Sequence, residues 1–333
     1  MDILITGGAG FIGSTVASAA LDAGHRPILV DNLVTGRAEF TEGRIFYEGD
    51  ISDAALLDKV FDDHPGIEAV VHCAALIVVP DSVARPVDYY RANVTKTLEL
   101  VDRLTERGCR RLLFSSSAAI YAVNDDFTVD ETSALAPLSP YARTKAVVEQ
   151  MLADVAAATG LKVLSLRYFN PIGADPQMRT GLQVAAPSHA LGKLIEARRA
   201  GVPFRLTGDD YPTRDGSGIR DYIHVWDLAQ AHLAALDRFD AVLGEDDHRV
   251  IDLGTGTGTT VKELVRAFES VTGEPLDVVV APRRPGDSAG AYARGERAAR
   301  ELGWSPVRSV EQGIADTLTW FERRAAVLPD LAG

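Results

Sequence analysis

Glycines close to the start of the chain place the strongest constraint on its fold. Residues 6–13 read TGGAGFIG, a G-x-x-G-x-x-G pattern that follows the apolar run 3–5 and leads into a helical pattern. Between a strand and a helix, such glycines let the backbone turn tightly and approach a phosphate, while the helix start offers free N–H groups. The segment therefore predicts a dinucleotide-binding loop after the first strand of an α/β sheet.

An acidic residue further along indicates which dinucleotide the loop binds. Asp31 closes the apolar run 27–30, at the distance of about 20 residues that such loops require. A carboxylate there accepts hydrogen bonds from ribose hydroxyls and repels a 2′-phosphate, so we expect NAD and not NADP. A second glycine cluster, 254–258, also lies between a strand and a helix, but the acid at the matching distance, Asp277, begins a strand. We interpret that cluster as a structural turn.

The first half of the chain repeats the strand–helix unit. Strands are predicted over 3–6, 27–31, 45–48, 69–73, 111–116 and 162–167, and helices over 12–23, 54–62, 87–107 and 141–159. The strands are short, apolar and not alternating, which is typical of strands covered on both faces. We therefore predict an α/β fold built on a Rossmann-type doubly wound parallel sheet.

The pattern changes after residue 170. The stretches 171–187 and 207–221 are rich in Gly, Pro and polar residues, and helical patterns return near 188–200, 226–237, 261–272 and 310–323. Long loops in a compact chain are usually functional or mobile. We expect an NAD-binding Rossmann domain over 1–170 and a smaller C-terminal α/β lobe over 171–333, with the two halves interleaved.

Charge and composition exclude several classes of protein. The net charge is −13 and no basic run is present, which argues against a nucleic-acid partner. No run of 18 apolar residues and no signal-like start occur, so we predict no membrane span and a cytoplasmic location. The two cysteines, Cys73 and Cys109, form no CxxC pair, so we expect neither a disulfide framework nor a metal site.

A tyrosine and a lysine four residues apart form the candidate catalytic pair. Residues 141–145 read YARTK at the start of a predicted helix, which places Tyr141 and Lys145 on one helix face. We expect the ammonium of Lys145 to favour the phenolate and so to lower the pKa of Tyr141. Ser117 follows the fifth predicted strand, at the sheet edge where ligands of open α/β sheets bind.

With these pieces, the sequence resembles the extended short-chain dehydrogenase/reductase family, and most closely its epimerase branch. The resemblance covers nearly the whole chain. It includes DNL at 31–33, EGDI at 48–51, NV at 93–94, LRYFNP at 166–171, DYPT at 210–213, RDYIHV at 220–225 and APRR at 281–284. The DYPT and RDYIHV blocks are more specific to that branch than the glycine loop is.

The resemblance implies a 4-epimerase of UDP-hexoses, UDP-glucose and UDP-galactose, with tightly bound NAD that is regenerated in each turnover. Tyr141 would take the proton of the sugar 4-hydroxyl, Ser117 would hydrogen-bond the same oxygen, and Lys145 would hold the nicotinamide ribose. Hydride would pass from C4 to NAD and return to the opposite face of a 4-keto intermediate. Family members also suggest a homodimer through the helices near 87–107 and 141–159.

The resemblance also implies the binding residues. For NAD they are Gly7, Gly10, Phe11, Ile12, Gly13, Asp31, Asn32, Thr35, Gly36, Asp50, Ile51, Ala74, Ala75, Asn93, Tyr141, Lys145 and Tyr168. For the UDP-sugar they are Ser117, Tyr141, Asn170, Ser188, Arg220, Arg284 and Asp287.

Departures from the family pattern gather on the substrate side and leave alternatives open. Ile77 stands in place of a lysine or polar residue, Thr207 in place of an aromatic that helps to hold uracil, and Ala291 at a gate position. The small Ala291 leaves open an activity mainly on UDP-N-acetylglucosamine or another UDP-sugar. A nucleotide-sugar 4,6-dehydratase is disfavoured because Ala118 and Ala119 replace its acidic pair. A non-catalytic NAD-binding protein is disfavoured by the intact catalytic residues.

Overall fold

A parallel sheet of seven strands forms the centre of the fold in a computed structural model that describes residues 1–283 and 288–331. Its strands are β1 (Asp2–Thr6), β2 (Arg26–Asp31), β3 (Ile45–Glu48), β4 (Ile67–His72), β5 (Arg111–Ser115), β6 (Lys162–Tyr168) and β7 (His248–Leu253). The order across the sheet is β7-β6-β5-β4-β1-β2-β3, and every neighbouring pair is parallel. The predicted Rossmann-type doubly wound sheet is confirmed.

The strand order reverses at β1. The chain passes from β1 outward to β2 and β3, and then returns to β4 on the other side of β1. Thr6, the last residue of β1, pairs with Val30 of β2 and with His72 of β4. Open α/β sheets bind their ligands beyond the carboxyl ends of the strands at such a reversal. The glycine loop and the ends of β4 and β5 therefore share one crevice.

Helices cover both faces of the sheet, and five of the α-helices described lie in the second half of the chain. The α-helices are α1 (Phe11–Asp22), α2 (Ala54–Asp63), α3 (Val79–Ala84), α4 (Pro86–Tyr90), α5 (Lys96–Glu106), α6 (Pro140–Thr159), α7 (Ala190–Ala200), α8 (Val225–Asp237), α9 (Phe239–Leu243), α10 (Val261–Thr272) and α11 (Val310–Val327). Shorter 3-10 helices are Ala38–Thr41, Ala118–Ile120 and Pro329–Leu331, and π-helical segments are Arg91–Thr95 and Ala298–Leu302.

Apolar side chains alternate between two cores on the two faces of the sheet. Successive residues of a strand point to opposite faces. Ile3 and Ile5 therefore pack with residues of α1 and α8, while Leu4 packs with residues of α2, α5 and α6. Because both faces are covered, the strands are apolar throughout, as the sequence pattern indicates.

The helix predicted over 87–107 is divided in the structure. α4 and α5 are separated by the π-helical segment Arg91–Thr95. Asn93 lies in this segment, is 2% exposed, and bonds to Leu76 and Thr144. Such a π-helical turn often marks a functional site. The apolar pattern on either side of it is unchanged, so the periodicity of the sequence does not reveal it.

Short strand pairs and a third apolar core lie outside the central sheet, mostly in the second half of the chain. The parallel pairs are Asn170–Ile172 with Tyr222–His224, Phe204–Thr207 with Val278–Ala281 and Thr128–Val129 with Tyr292–Ala293, and the antiparallel pair is Ile219–Arg220 with Thr259–Thr260. Phe40 from the first half packs on Trp320 of α11 in the third core. The division at residue 170 stays a prediction.

None of the described helices combines the length and apolar character needed to span a membrane.

Candidate active site

The glycine loop leaves the start of α1 free for an anion. Gly10 precedes α1 without a side-chain cap, and the first turn of the helix carries no acidic residue, so its first N–H groups and positive dipole end are available. Gly7 has φ of 68°, and a Cβ there would lie 2.6 Å from the backbone nitrogen of Ala74. A Cβ on Gly13 would lie 2.2 Å from the carbonyl oxygen of Gly7. These residues fit the pyrophosphate of a dinucleotide.

Asp31 joins the glycine loop to the segment that follows β2. Its Oδ2 accepts a hydrogen bond of 3.0 Å from Ala9 N, and its Oδ1 accepts one of 2.8 Å from Leu33 N. Burial raises the pKa of Asp31, and the two backbone hydrogen bonds oppose that rise. A Cβ on Gly36 would lie 2.7 Å from Oδ1, so the backbone wraps closely around the carboxylate. The acid predicted to bind ribose hydroxyls thus stands at the crevice.

Asn32 and Asp50 meet beyond the ends of β2 and β3, where the resemblance places adenine. Asn32 Nδ2 donates a hydrogen bond of 3.1 Å to Asp50 Oδ2. Asp50 also accepts hydrogen bonds from Ser52 and from Lys96, which the sequence did not single out. Burial opposes ionisation of Asp50, but the hydrogen bonds from Lys96 and Ser52 outweigh it and lower its pKa to about 2. The neighbouring Ile51 is buried.

Asn93 anchors the loop that follows β4 and contains Ala74 and Ala75. Its Oδ1 accepts a hydrogen bond of 2.8 Å from Leu76 N, and its Nδ2 donates to Leu76 O at 2.9 Å and to Thr144 Oγ1 at 3.0 Å. Both amide hydrogens are therefore used within the protein. Asn93 connects this loop to α6, and its contact with NAD stays a prediction.

Ser117 and Tyr141 are brought together across the crevice. Ser117 follows β5, and its Oγ accepts a hydrogen bond of 3.2 Å from Ala119 N at the start of the 3-10 helix Ala118–Ile120. Tyr141 lies in the first turn of α6, where its hydroxyl interacts with the side chain of Ser117. Burial raises the pKa of Tyr141, and the bond to Ser117 opposes that rise.

Lys145 also lies at the crevice, but its ammonium bonds to the backbone of Ser115 and not to Tyr141. Its Nζ donates a hydrogen bond of 2.7 Å to the carbonyl oxygen of Ser115 and lies 4.8 Å from the ring centre of Phe114. Lys145 is 4% exposed, and burial lowers its pKa to about 8. The expectation that Lys145 lowers the pKa of Tyr141 is wrong: that pKa is raised, and Ser117 is the group that opposes the rise. The four-residue spacing on a helix does not reveal that Tyr141 is buried or that the carbonyl oxygen of Ser115 binds the ammonium of Lys145.

Tyr168 and Cys73 complete this end of the crevice. Tyr168 ends β6, and burial raises its pKa well above the ordinary value, while a hydrogen bond with Ser115 opposes the rise. Cys73 Sγ lies 3.2 Å from Ser115 Oγ. The side chain of Ser115 therefore links residues that follow β4 and end β6.

A buried ionic network, which the sequence does not indicate, lies close to Lys145. Glu149, one helical turn after Lys145, accepts a hydrogen bond from Ser116 and pairs with Arg167, with both side chains at most 7% exposed. Arg167 Nη1 donates to Tyr121 Oη at 2.8 Å, and Tyr121 Oη donates to Asp252 Oδ1 at 2.7 Å. The one feature of the sequence that could have indicated this network is the charged Arg167 near the end of the apolar strand β6.

Asp252 is the member of the network whose hydrogen-bonding capacity is incompletely satisfied. Its Oδ2 is buried and has no hydrogen-bond partner among the residues that the structure describes. Burial raises the pKa of Asp252 to about 7. Glu131 lies beside it and accepts a hydrogen bond from its backbone nitrogen.

The substrate-side residues are only partly brought together. Arg220 Nη1 donates to the carbonyl oxygens of Ile219 at 2.7 Å and Ala289 at 2.8 Å. Asn170 N donates to Asp221 O at 3.1 Å, which joins the strand pair Asn170–Ile172 and Tyr222–His224. Ser188 is exposed just before α7. Arg284 and Asp287 lie outside the described residues.

The three residues that depart from the family pattern, Ile77, Thr207 and Ala291, have different environments. Ile77 is 62% exposed. Thr207 lines a cavity of about 630 Å³ between α7 and the strand Phe204–Thr207. Ala291 packs against the small apolar cluster that contains Ala118 and Tyr121.

Comparison with known proteins agrees with this geometry. The sequence model of the NAD dependent epimerase/dehydratase family matches residues 3–251. The UDP-glucose 4-epimerase of Azospirillum brasilense is 41% identical over 96% of this chain and 92% of its own length. A crystal structure of UDP-glucose-4-epimerase from Stenotrophomonas maltophila, with NAD and formylated UDP-arabinopyranose, superposes with a TM-score of 0.92 at 37% identity over 98% of both chains. The UDP-glucose 4-epimerase of Bifidobacterium longum, in complex with NAD+ and UDP, gives a TM-score of 0.89 at 33% identity over 99% of both chains.

Proposed function

The chain belongs to the NAD dependent epimerase/dehydratase family, and from that premise we propose that it interconverts UDP-glucose and UDP-galactose by NAD-dependent 4-epimerisation. The observation that carries the proposal is the glycine loop that fits a pyrophosphate, in the same crevice as Tyr141 and Ser117, whose side chains interact. The relatives named UDP-glucose 4-epimerase, matched over nearly their whole length, support the same reaction.

The reaction divides between NAD and the side chains of the crevice. NAD supplies a hydride acceptor that gives the hydride back. Tyr141 takes the proton of the sugar 4-hydroxyl as C4 becomes a ketone, and returns it when C4 is reduced on the opposite face. Ser117 holds the same sugar oxygen by a hydrogen bond and so fixes the direction of proton transfer. Because hydride and proton both return, the reaction consumes no oxidant or reductant.

Lys145 and Arg220 supply the positive charge of the site. The bond from Lys145 to Ser115 O uses one N–H of the ammonium and leaves the others for ribose hydroxyls. Arg220 is held by the carbonyl oxygens of Ile219 and Ala289, which presets its planar guanidinium for a diphosphate. The proposed substrate contacts are completed by Asn170, Ser188, Arg284 and Asp287.

Two alternatives differ in the substrate or in the chemistry. A 4,6-dehydratase needs an additional acid and base, but Ala118 and Ala119 occupy the 3-10 helix beside Ser117 and carry no proton to transfer. Activity on UDP-N-acetylglucosamine is favoured by one observation, the small side chain of Ala291, which packs against the cluster that contains Ala118 and Tyr121.

We also propose that two copies of the chain associate through α3, α4, α5 and α6. Exposed apolar side chains gather on these helices, with exposed fractions of 64% for Val83, 63% for Val87, 38% for Tyr90, 46% for Leu98 and 43% for Val147. Apolar patches of this kind mark protein interfaces.

Both cysteines are free thiols, which fits the proposed cytoplasmic location.

The test of function uses the purified protein without added reductant. UDP-galactose should be converted to UDP-glucose, and UDP-N-acetylglucosamine and UDP-glucuronate should be assayed in parallel with the same preparation. Loss of water from the product, detected by mass spectrometry, would favour the dehydratase. NAD binding without turnover of any nucleotide sugar would overturn the proposed activity.

The association is tested separately by light scattering after gel filtration. The native chain should have the mass of a dimer, and Leu98→Glu should produce a monomer. Val307→Glu is the matched control, because Val307 is 83% exposed and lies outside these helices. A native monomer at micromolar concentration would contradict the proposed dimer.

A further inference from the structure

The segment 32–37, which follows Asp31 and which we name the ribose loop, is held by residues from the second half of the chain. Gln183 Nε2 donates a hydrogen bond of 2.9 Å to the carbonyl oxygen of Thr35. Arg37 Nη1 donates one of 2.9 Å to Asp330 Oδ2. Arg37 N also donates to Ala9 O in the glycine loop at 2.9 Å. The ribose loop therefore connects the glycine loop to the C-terminal half.

The internal bonds of the ribose loop depend on an unfavourable backbone conformation. Leu33 has φ of 58°, in the left-handed region that residues with a side chain rarely adopt. Leu33 N nevertheless donates to Asp31 Oδ1, and Gly36 packs against the same oxygen. Val34, next to Leu33, is 70% exposed and contributes little packing. The loop therefore needs restraints from outside to stay closed around Asp31.

Gln183 provides such a restraint because its own segment is firmly fixed. Trp320 Nε1 donates to Leu182 O, and Arg324 Nη1 donates to Val184 O, each at 3.0 Å. Thr180 Oγ1 lies 3.3 Å from Thr15 Oγ1 of α1. Residues on both sides of Gln183 are thus bonded to α11, and the start of the segment is bonded to α1.

The amide of Gln183 also leaves one buried atom unused. The bond to Thr35 O sets the orientation of the amide, because the donor must be nitrogen. Its Oε1 is buried and accepts no hydrogen bond from the described residues. A buried acceptor without a partner is costly. Such an acceptor close to the ribose loop can be satisfied by a hydroxyl of a bound molecule.

We propose that Gln183 and Asp330 are positioning residues that hold the ribose loop closed and thereby slow the release of NAD. The proposal rests on the proposed function only in treating NAD as a cofactor retained between turnovers. Release requires the loop to open, and each lost restraint raises the population of the open form. The ion pair of Arg37 and Asp330 is partly exposed, with side-chain exposures of 22% and 55%, so salt should weaken its contribution.

The experiment measures the exchange of bound NAD for isotopically labelled NAD in the purified holoprotein. Gln183→Ala and Asp330→Asn should each release NAD about two- to ten-fold faster than the native chain, because one hydrogen bond or ion pair has effects of that order. Asp330→Glu keeps the carboxylate and should restore slow release. Glu274→Gln is the matched control, because it breaks the surface ion pair of Arg198 and Glu274 without touching the ribose loop.

Ionic strength separates positioning from general destabilisation. Added salt should speed NAD release more in the native chain and in Glu274→Gln than in Asp330→Asn, where Arg37 keeps, among the described residues, only its ion pair with Glu39. Native-like release from both Gln183→Ala and Asp330→Asn would overturn the proposal. Exchange of NAD requires no turnover, so a chain that fails to epimerise UDP-sugars would contradict the proposed function while leaving this readout intact.

Discussion

Lys145 donates a 2.7 Å hydrogen bond from its ammonium to the carbonyl oxygen of Ser115. Tyr141, one helical turn earlier, interacts instead with Ser117, which opposes the rise in its pKa. The two members of the candidate catalytic pair thus have separate partners, although they lie on the same helix face. Removing either one should therefore affect a different property of the enzyme.

Lys145→Met is expected to weaken NAD binding without moving the pH at which activity rises. Loss of one charged hydrogen bond costs roughly 1.5–3 kcal/mol, or about 10- to 150-fold in affinity. The pKa of Tyr141 is governed by burial and Ser117 and not by Lys145. NAD titration and the pH–rate profile check the two halves of this prediction. A large alkaline displacement of the rising limb would show that the ammonium does act on Tyr141.

Ser117→Ala should move the rising limb of the pH–rate profile to higher pH. The hydrogen bond from Ser117 favours the phenolate of Tyr141 and opposes the rise in its pKa that burial causes. Without that bond the pKa rises further, so the phenolate forms only at a higher pH. The profile of kcat/KM measures this displacement, and an unchanged limb with a lower plateau would contradict it.

Tyr141→Phe should lower turnover by about 10²- to 10⁴-fold, the usual contribution of a positioned proton-transfer group. The fold and the bound NAD should be retained, because the phenyl ring keeps the apolar contacts of Tyr141. Turnover of UDP-galactose and the NAD content of the purified variant are the two measurements. An unchanged rate would eliminate Tyr141 as the proton acceptor.

Gly7→Ala should abolish NAD binding, whereas Gly43→Ala should not. The two glycines have nearly the same φ, 68° and 69°, so both substitutions carry the strain of the left-handed region, roughly 1–2 kcal/mol. A Cβ on Gly7 would also lie 2.6 Å from the backbone of Ala74, while nothing lies within 4 Å of one on Gly43. NAD titration and urea unfolding distinguish strain from the clash. Equal NAD affinities in the two variants would contradict the assigned role of Gly7.

Asp252→Asn should stabilise the protein above pH 7 relative to the native chain. Burial raises the pKa of Asp252 from 3.8 to about 7, so the folded chain binds a proton that the unfolded chain has lost. The stability linked to that proton is present below pH 4 and is lost as pH rises through 7. The advantage of the neutral amide should therefore grow between pH 4 and pH 7 and then remain constant. Urea unfolding at several pH values measures it, and a gap that shrinks with rising pH would contradict the prediction.

Much of the fold could be predicted because its signals are local. The predicted strand 45–48 and the observed strand Ile45–Glu48 coincide, and the predicted helix 141–159 differs from Pro140–Thr159 by one residue. Hydrophobic pattern and the demands on glycine are properties of a few consecutive residues. The π-helical segment Arg91–Thr95 was missed because the apolar pattern continues on both sides of it.

The site was predictable only as far as it follows from residues near one another in sequence. The glycine loop, Asp31 and the pair Tyr141 and Lys145 could be identified from motifs. The partners of those residues could not, because Asp252 meets Arg167 only through the pairing of β7 with β6. The bond from Gln183 to Thr35 likewise joins residues 148 positions apart.

The sequence by itself determined the parallel sheet, the nature of the cofactor and the choice of Tyr141 and Lys145 as the candidate catalytic pair. Only the tertiary structure decided where the ammonium of Lys145 is directed, in which direction the pKa of Tyr141 shifts, and which residues hold the ribose loop closed. The physical reason is that periodicity and backbone conformation are local properties of the chain. Burial and hydrogen-bond partners depend on which distant segments pack together.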